Sequence, residues 1–160
     1  MSSHLSVPEA VVERAAAWFG TLTPVSLEHI GDWYGADARF KDPFQEVQGL
    51  AAVRAIYAHM FQSLVEPQFL IRQCIHQGGQ TVLVWDFQFG VRWRSKVIPQ
   101  TIHGATHLTW AHDGLGWRIQ DHRDYWDTAE ELYEKWPLLG AVLRFLKRRL
   151  ATPQGHSAQN

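Results

Sequence analysis

The sequence has 160 residues, of which 46% are apolar and 19% charged, and its 15 Lys and Arg are nearly balanced by 16 Asp and Glu. A chain of this length predicts one domain, and its 8 Trp, 8 Phe and 4 Tyr exclude intrinsic disorder, which goes with few aromatic residues and high net charge. Because the net charge is −1, no overall positive field attracts nucleic acid, and we expect no nucleic-acid partner.

The sequence also bounds the compartment. Cys74 is the only cysteine, so no internal disulfide forms, which fits a reducing environment. The first 19 residues mix charged and apolar side chains unlike a signal peptide, and no apolar run of about 18 residues predicts a membrane span. We therefore expect a cytoplasmic protein with no membrane partner.

Helical patterns come first along the chain. Ser6 to Glu9 predicts a helix start with a serine cap, and apolar residues then recur at helical spacing to Leu22. Thr23 opens a short second helix that ends at Gly31, and residues 32–44 show a mixed pattern. Residues 49–64 carry an apolar stripe that predicts a third helix.

After Pro67 the apolar period changes from 3.6 to 2. The alternation predicts four strands, at residues 69–75, 81–91, 101–111 and 117–125, with a turn at Asp113-Gly114. Helical segments follow at residues 127–136 and 138–150, and residues 151–160 are expected to fray. This order predicts one α+β domain over residues 6–150, with N-terminal helices on an antiparallel sheet closed by a C-terminal helix.

Asp86 is a carboxylate in an unusually apolar strand, between Trp85 and Phe87. A buried carboxylate without partners is costly, so we expect it to be hydrogen-bonded, paired or protonated. A protonated carboxylic acid with a raised pKa would suit proton transfer near neutral pH. The alternative is a structural aspartate that anchors a loop or an arginine.

The hairpin of the last two strands predicts a polar face. A turn of two or four residues at Asp113 places His103 and His107 on the same face as His122 and Asp124. That face either lines a cavity, with an imidazole beside a carboxylate, or is solvated. His103 and His107 lie about 13 Å apart on the strand, too far to share an ion, so we predict no metal site.

The opposite face of the sheet is expected to carry Trp85, Phe87 and Phe89. If no helix covers these side chains, they form an apolar patch that predicts a homodimer. Tyr57, on the apolar stripe of the third helix, is interpreted as core packing.

Two segments carry a resemblance to a known family. One contains Phe-Lys-Asp-Pro at residues 40–43, before the glycine that precedes the third helix, and the other reads His-Arg-Asp-Tyr-Trp-Asp at 122–127. With the element order, they resemble the nuclear transport factor 2-like superfamily, which includes ketosteroid isomerase, scytalone dehydratase, SnoaL-like cyclases and limonene-epoxide hydrolase. The resemblance covers residues 6–150 and implies a cone-shaped pocket between helices and a curved sheet.

The second segment is similar to Trp-Arg-Asp-Tyr-Phe-Asp of limonene-epoxide hydrolase, and this similarity implies that Asp124 is the catalytic acid or base. Asp86 falls where that enzyme has a second pocket aspartate, but Val84 stands in place of the arginine that bridges the two. Phe40 and Asp42 replace the tyrosine and asparagine that hold water there, which argues against epoxide hydrolysis of that type. His122 replaces the tryptophan and can pair with Asp124.

We therefore expect a SnoaL-like protein that binds a small apolar ligand, such as a polyketide, terpenoid or steroid-like ring, and performs acid–base chemistry as an isomerase, lyase or hydrolase without metal or cofactor. Asp124 is the expected base, His122 or His107 the orienting group, and protonated Asp86 the hydrogen-bond donor. The expected ligand-binding residues are Tyr34, Phe40, Asp42, Met60, His103 and His107. The alternative is a non-catalytic module for ligand binding or homodimerisation.

Overall fold

A computed structural model describes residues 6–126 of the protein. Two α-helices, α1 (Glu9–Gly20) and α2 (Leu50–Ser63), and a 3-10 helix (Val25–Asp32) are interleaved with two strands, β1 (Tyr34–Lys41) and β2 (Glu46–Gln48). Four long strands follow: β3 (Val65–Gln77), β4 (Gln80–Trp93), β5 (Lys96–His112) and β6 (Trp117–Tyr125). The expected C-terminal helix and tail, residues 127–160, lie outside the described residues.

The strands form one mixed sheet of six strands in the order β2-β1-β6-β5-β4-β3. Neighbours are antiparallel except β1 and β6, which run parallel. The expected sheet had four antiparallel strands, and β1 and β2 were missed because residues 32–44 do not alternate cleanly. The ladder between β1 and β6 shifts register between Tyr34 and Arg39. Buried and exposed side chains therefore do not alternate regularly along β1.

The helices cover the concave face of the sheet. Helix α1 buries Val12, Ala15 and Phe19, and α2 buries Val53, Ile56, Tyr57 and Met60. Full burial of each large apolar side chain contributes about 1.5–3 kcal/mol to folding. None of the helices in residues 6–126 is long and apolar enough to cross a membrane.

Helix α1 begins without the serine cap that the sequence predicts. Its N-cap is Pro8, which makes no side-chain capping bond. The Ser6 hydroxyl instead donates to the carbonyl of Gly78 at 3.4 Å, and the Val7 amide donates to the same oxygen at 3.0 Å. The segment before α1 is therefore attached to the β3–β4 turn.

The β5–β6 hairpin has the four-residue turn that was one of the two predicted options. His112 and Trp117 pair across it, and residues 113–116 make the turn. The Asp113 carboxylate fixes the turn, because Oδ1 accepts the backbone amides of Leu115 at 2.9 Å and Gly116 at 2.8 Å.

A β-bulge changes the register a few residues later. Trp110 pairs with Ile119, but Thr109 pairs with Asp121, so Gln120 is an extra residue in β6. Because side chains alternate between faces, one extra residue transfers every later side chain of β6 to the other face.

The bulge decides which residues share a face with His122 and Asp124. After it, Asp124 lies opposite Thr106 and His122 lies opposite Leu108. The prediction that both would share a face with the histidines of β5 is wrong, since it assumed a regular ladder from the turn onward.

On β4 the aromatic side chains of Trp85, Phe87 and Phe89 lie on the concave face. Trp85 is buried and sits against Gly104 of β5, its cross-strand partner, where a Cβ would come within 2.4 Å of the indole. Glycine at this position is therefore what allows the indole to lie flat on the neighbouring strand.

Candidate functional site

A cavity of about 90 Å³ lies between α2, the β1–β2 connection and the concave face of the sheet. Among the described residues that line it, no side chain is Lys, Arg or His, and the carboxylates are Asp42 and Asp124. Eight lining residues are aromatic: Phe40, Phe44, Tyr57, Phe69, Trp85, Phe87, Phe89 and Trp126. The cavity therefore combines apolar walls with two acidic groups.

Asp124 is held by one of its carboxylate oxygens. Oδ1 accepts a hydrogen bond from the Thr106 hydroxyl at 2.5 Å and another from Nε2 of His122 at 2.9 Å. Residues 6–126 provide no hydrogen-bond donor to Oδ2. The side chain is 14% exposed, and it lines the cavity. One oxygen is thus fixed by the protein, and the other is available to a bound molecule.

His122 is enclosed and bonded at both ring nitrogens. Its side chain is 3% exposed, and Nδ1 lies 2.7 Å from the Tyr34 hydroxyl. The ring also stacks on Phe40, with centroids 4.4 Å apart. When Asp124 is ionised it can only accept, so Nε2 carries a proton, and in the neutral ring Nδ1 accepts from Tyr34.

Two tyrosine hydroxyls continue this set of hydrogen bonds. The Tyr34 and Tyr57 hydroxyls lie 2.8 Å apart, and both side chains are buried. Burial raises the pKa of Tyr34 well above its ordinary value, and the neighbouring Tyr57 adds to the rise. Burial also raises the pKa of Tyr57 well above its ordinary value, and the Asp124 carboxylate raises it further. Both tyrosines therefore keep their protons and act as hydrogen-bond donors.

On its other side, Asp124 is fixed through β5 and β4. The indole Nε1 of Trp85 donates to the Thr106 hydroxyl oxygen at 2.8 Å. Because this oxygen already accepts from Trp85, the Thr106 proton is directed to Asp124. The three side chains belong to adjacent strands, so the sheet itself sets the position of the carboxylate.

Asp42 is the second carboxylate of the cavity, in the connection between β1 and β2. Its Oδ1 accepts the backbone amides of Phe44 at 2.7 Å and Gln45 at 2.9 Å, which closes a tight turn. Burial raises the pKa of Asp42, the charge of Asp124 adds to the rise, and the hydrogen bonds to Phe44 and Gln45 oppose it. The protonated form of Asp42 is therefore favoured relative to a free aspartate.

Asp86 does not line the cavity, so the expected pocket role for it is wrong. It lies on the outer face of β4, where it pairs with Arg72 at 2.7 Å and with Nδ1 of His103 at 2.5 Å. Hydrogen bonds from Arg72 and His103 lower the pKa of Asp86. Asp86 is thus an ionised partner of an arginine, the alternative that the sequence had left open.

His103 and His107 are also on the outer face and do not reach the cavity. The His103 side chain is 63% exposed, and Nε2 of His107 lies 2.9 Å from the Gln80 side-chain oxygen. The physical reason is the bulge in β6, which separates their face from that of Asp124.

The three aromatic residues expected to form a dimer surface line the cavity instead. Trp85 and Phe89 are buried, and Phe69 stacks on Phe87 with centroids 4.4 Å apart. The condition for an exposed apolar patch, that no helix covers this face, is therefore not met, because α2 and the cavity lie over it.

The structure brings six of the expected residues together around the cavity. Asp124, Asp42, Phe40 and Met60 line it, and His122 and Tyr34 lie directly behind Asp124. Within residues 6–126, no group of three His, Cys, Asp or Glu side chains is placed to hold a metal ion.

A sequence comparison decides the family. The model of the SnoaL-like domain family matches residues 15–122, which is well over half of the chain. This chain belongs to the SnoaL-like domain family.

Solved structures agree on the fold of this SnoaL-like protein. A protein of Shewanella putrefaciens, provisionally named SnoaL-like polyketide cyclase, is 20% identical, with a TM-score of 0.64 over 81% of this chain and 99% of that one. An NTF2-like protein of unknown function from Burkholderia pseudomallei is 17% identical, with a TM-score of 0.62 over 83% and 97% of the two chains. A protein of Catenulispora acidiphila with a ketosteroid isomerase-like fold, crystallised with trimethylamine, is 20% identical, with a TM-score of 0.57 over 81% and 93%. No curated protein matches the sequence.

Three residues of this SnoaL-like site were missed by sequence reasoning as site residues. Tyr57 was interpreted as packing, Trp85 was placed on the other face, and Thr106 was not considered as a site residue. The available signal for Tyr57 was its hydroxyl, since a tyrosine on a buried stripe needs a hydrogen-bond partner where a phenylalanine does not. Thr106 gave no such signal, because its position depends on the bulge.

Proposed function

We propose that this SnoaL-like protein binds a small apolar ligand in the cavity and removes a proton from it with Asp124. The proposal rests on one observation above all: Oδ1 of Asp124 is fixed by Thr106 and His122, while Oδ2 has no donor among residues 6–126. A carboxylate that is positioned by one oxygen and free at the other is suited to act as a general base.

The cavity wall supports an apolar ligand with flat rings. Phe69, Phe87 and Phe89 form a layered aromatic wall, with centroids of successive rings 4.4 and 4.9 Å apart. No basic side chain among the described lining residues compensates an anionic ligand, so the cavity favours a neutral one. The provisional polyketide cyclase from Shewanella putrefaciens points to the same class of ligand. A neutral polyketide-like ring ketone therefore fits best.

The supporting residues have separate roles. His122 donates to Asp124 and keeps the carboxylate in place, and it also stabilises the negative charge until the proton arrives. Asp42 lines both the cavity and the adjoining surface depression, so it is placed to contact a polar group of the ligand where the two meet.

The experiment measures proton abstraction directly, without knowledge of the natural substrate. The protein is incubated in D₂O with a panel of bicyclic and tricyclic ketones, of which 2-tetralone is the smallest, and loss of the α-proton signal is followed by ¹H NMR. We expect exchange above the buffer rate, and we expect Asp124→Asn to lower it by about 100-fold or more.

Asp86→Asn is the matched control, because it makes the same chemical change on the outer face and should leave the exchange rate unchanged. Two results would overturn the proposal. One is wild-type exchange no faster than buffer for every ketone, and the other is full exchange by Asp124→Asn. Ketones that bind without exchange would identify the cavity as a binding module of the same fold.

A further inference from the structure

Asp124 is the first of four side chains with titratable groups that form one continuous line of hydrogen bonds. Asp124 Oδ1 lies 2.9 Å from His122 Nε2, His122 Nδ1 lies 2.7 Å from the Tyr34 hydroxyl, and that hydroxyl lies 2.8 Å from Tyr57. Each separation is within the range of a well-formed hydrogen bond. The two inner groups, His122 and Tyr34, are buried, whereas the two outer groups, Asp124 and Tyr57, both line the cavity.

We propose that these four residues form a proton relay in which Asp124 removes a proton from the ligand and Tyr57 donates a proton to the same ligand. The proposal rests on the proposed function and adds a second catalytic residue to it. Tyr57 touches the ligand, whereas His122 and Tyr34 act through their neighbours as positioning residues.

The hydrogen bonds of the relay can run in two directions, and the number of protons on the His122 ring determines which one they take. With a neutral ring, Nδ1 accepts from Tyr34, Tyr34 accepts from Tyr57, and the Tyr57 proton points away from the ligand. With protons on both ring nitrogens, Nδ1 donates to Tyr34 and Tyr34 donates to Tyr57. The Tyr57 proton is then free to bond a ligand oxygen, so this second direction is the working one.

The proton transfers balance for a ring ketone. Oδ2 of Asp124 takes the proton from the carbon beside the carbonyl, and the electron pair of that C–H bond forms a C=C bond. The carbonyl π pair moves to oxygen, which takes the proton of the Tyr57 hydroxyl. Tyr57 takes the proton of Tyr34, and Tyr34 takes the proton from Nδ1 of His122. The products are an enol, a protonated Asp124 and a neutral His122, with no net change of charge in the site.

This arrangement avoids an isolated enolate in an apolar cavity. An unpaired charge of that kind is costly where no basic side chain is near, and the described lining residues include none. The high pKa of Tyr57 that burial causes fits a group that supplies a proton and recovers it at once, since a permanent tyrosinate is unfavourable there.

Two variants test the relay in the D₂O exchange assay with 2-tetralone. Tyr57→Phe removes the donor, and Tyr34→Phe breaks the line at a residue that does not line the cavity. We expect each to lower the exchange rate by about 100-fold, a typical contribution of one acid or base. Tyr125→Phe removes the hydroxyl of an exposed tyrosine and should leave the rate unchanged.

A spectroscopic measurement tests whether Tyr57 and His122 are coupled through Tyr34, as the relay requires. In protein labelled with ¹⁵N-histidine, the Nδ1 shift of His122 is measured for wild type, Tyr57→Phe and Tyr125→Phe. Tyr57 makes no hydrogen bond to His122, and their rings are 6.5 Å apart. We expect Tyr57→Phe to move the Nδ1 resonance by more than Tyr125→Phe does, because its effect passes through Tyr34.

The outcomes distinguish this inference from the proposed function. Loss of exchange in Asp124→Asn with wild-type rates in Tyr34→Phe and Tyr57→Phe would overturn the relay and leave Asp124 as the base. Absence of exchange in the wild type would contradict the proposed function. The Nδ1 shift would then show separately whether Tyr57 and His122 are coupled as the relay requires. An unchanged Nδ1 resonance in folded Tyr57→Phe would overturn the relay whatever the exchange rates are.

Discussion

Nε2 of His122 lies 2.9 Å from Oδ1 of Asp124, and the two residues are separated by a single position on β6. Side chains two positions apart on a strand point to the same face, so the strand itself creates this pair. The ring cannot turn away without also breaking the bond between Nδ1 and Tyr34. The carboxylate and the imidazole are therefore held together by the backbone on one side and by a buried hydroxyl on the other.

Removal of the His122 imidazole should lower the stability of the protein as well as its rate of α-proton exchange. We expect His122→Leu to lower the free energy of unfolding by about 1–3 kcal/mol, because the buried Tyr34 hydroxyl and Asp124 both lose a partner. Urea unfolding followed by tryptophan fluorescence measures the change. His107→Leu, on the outer face, is the control, and equal losses for both variants would contradict the structural role of His122.

Thr106→Val removes the hydroxyl that links Trp85 to Asp124 and keeps the shape of the side chain. We expect the free energy of unfolding to fall by about 1–3 kcal/mol, since a buried indole N–H loses its acceptor. We also expect slower α-proton exchange, because Asp124 then keeps only His122 as a donor. Thr109→Val changes the same residue type on the other face of β5, and it should alter neither measurement by a comparable amount.

Gly104→Ala tests the position of the Trp85 indole. A Cβ at residue 104 would lie 2.4 Å from the ring, so the indole must shift and its bond to Thr106 must weaken. Overpacking of this kind costs about 1–3 kcal/mol, which thermal or urea unfolding detects. Gly79→Ala is the control, because its nearest neighbour would be a carbonyl oxygen at 3.9 Å.

Asp42→Asn should stabilise the protein at neutral pH more than at acid pH. The folded-state pKa of Asp42 is raised by burial, so the folded state binds more protons than the unfolded state and stability falls as the pH rises through that pKa. Asparagine keeps an oxygen for the turn amides and removes this pH-dependent cost. Urea unfolding of both proteins between pH 3 and pH 8 is the measurement. A stability difference that shrinks with rising pH would contradict the direction of the shift.

Asp86→Asn should show the opposite dependence on pH. The pKa of Asp86 is lowered by Arg72 and His103, so its contribution is present above the ordinary aspartate pKa and is lost as the pH falls through the lowered value. The variant should therefore be less stable than wild type at neutral pH and equal to it in strong acid. The effect should also shrink in high salt, because Arg72 and His103 are largely exposed.

Much of the fold could be predicted from the sequence because its signals are local. The apolar stripe of α2 and the alternation of the four long strands gave their positions, and the predicted bounds of β6, residues 117–125, are the observed ones. The family resemblance through residues 122–127 pointed to Asp124, which the structure places on the cavity wall. The parallel pairing of β1 with β6 was not predictable in this way, since it joins segments about 80 residues apart.

The candidate site was predicted only in part, because its positions also depend on how distant strands pair. The structure places Asp124, Phe40, Asp42 and Met60 on the cavity wall with His122 and Tyr34 behind Asp124, and it places Asp86, His103 and His107 on the outer face. The functional roles of the first six residues stay predictions. The error has one source, because sequence alternation shows which residues share a face within a strand but not how one strand meets the next.

The bulge at Gln120 lets β6 tolerate one particular change in length. Deletion of that one codon would join Ile119 directly to Asp121, whose partners Trp110 and Thr109 are already consecutive on β5, so the ladder would become regular. His122 and Asp124 would keep Leu108 and Thr106 as cross-strand partners and would stay on the cavity face. The position of the carboxylate therefore depends on its pairing with β5 and not on the number of residues that separate it from the hairpin turn.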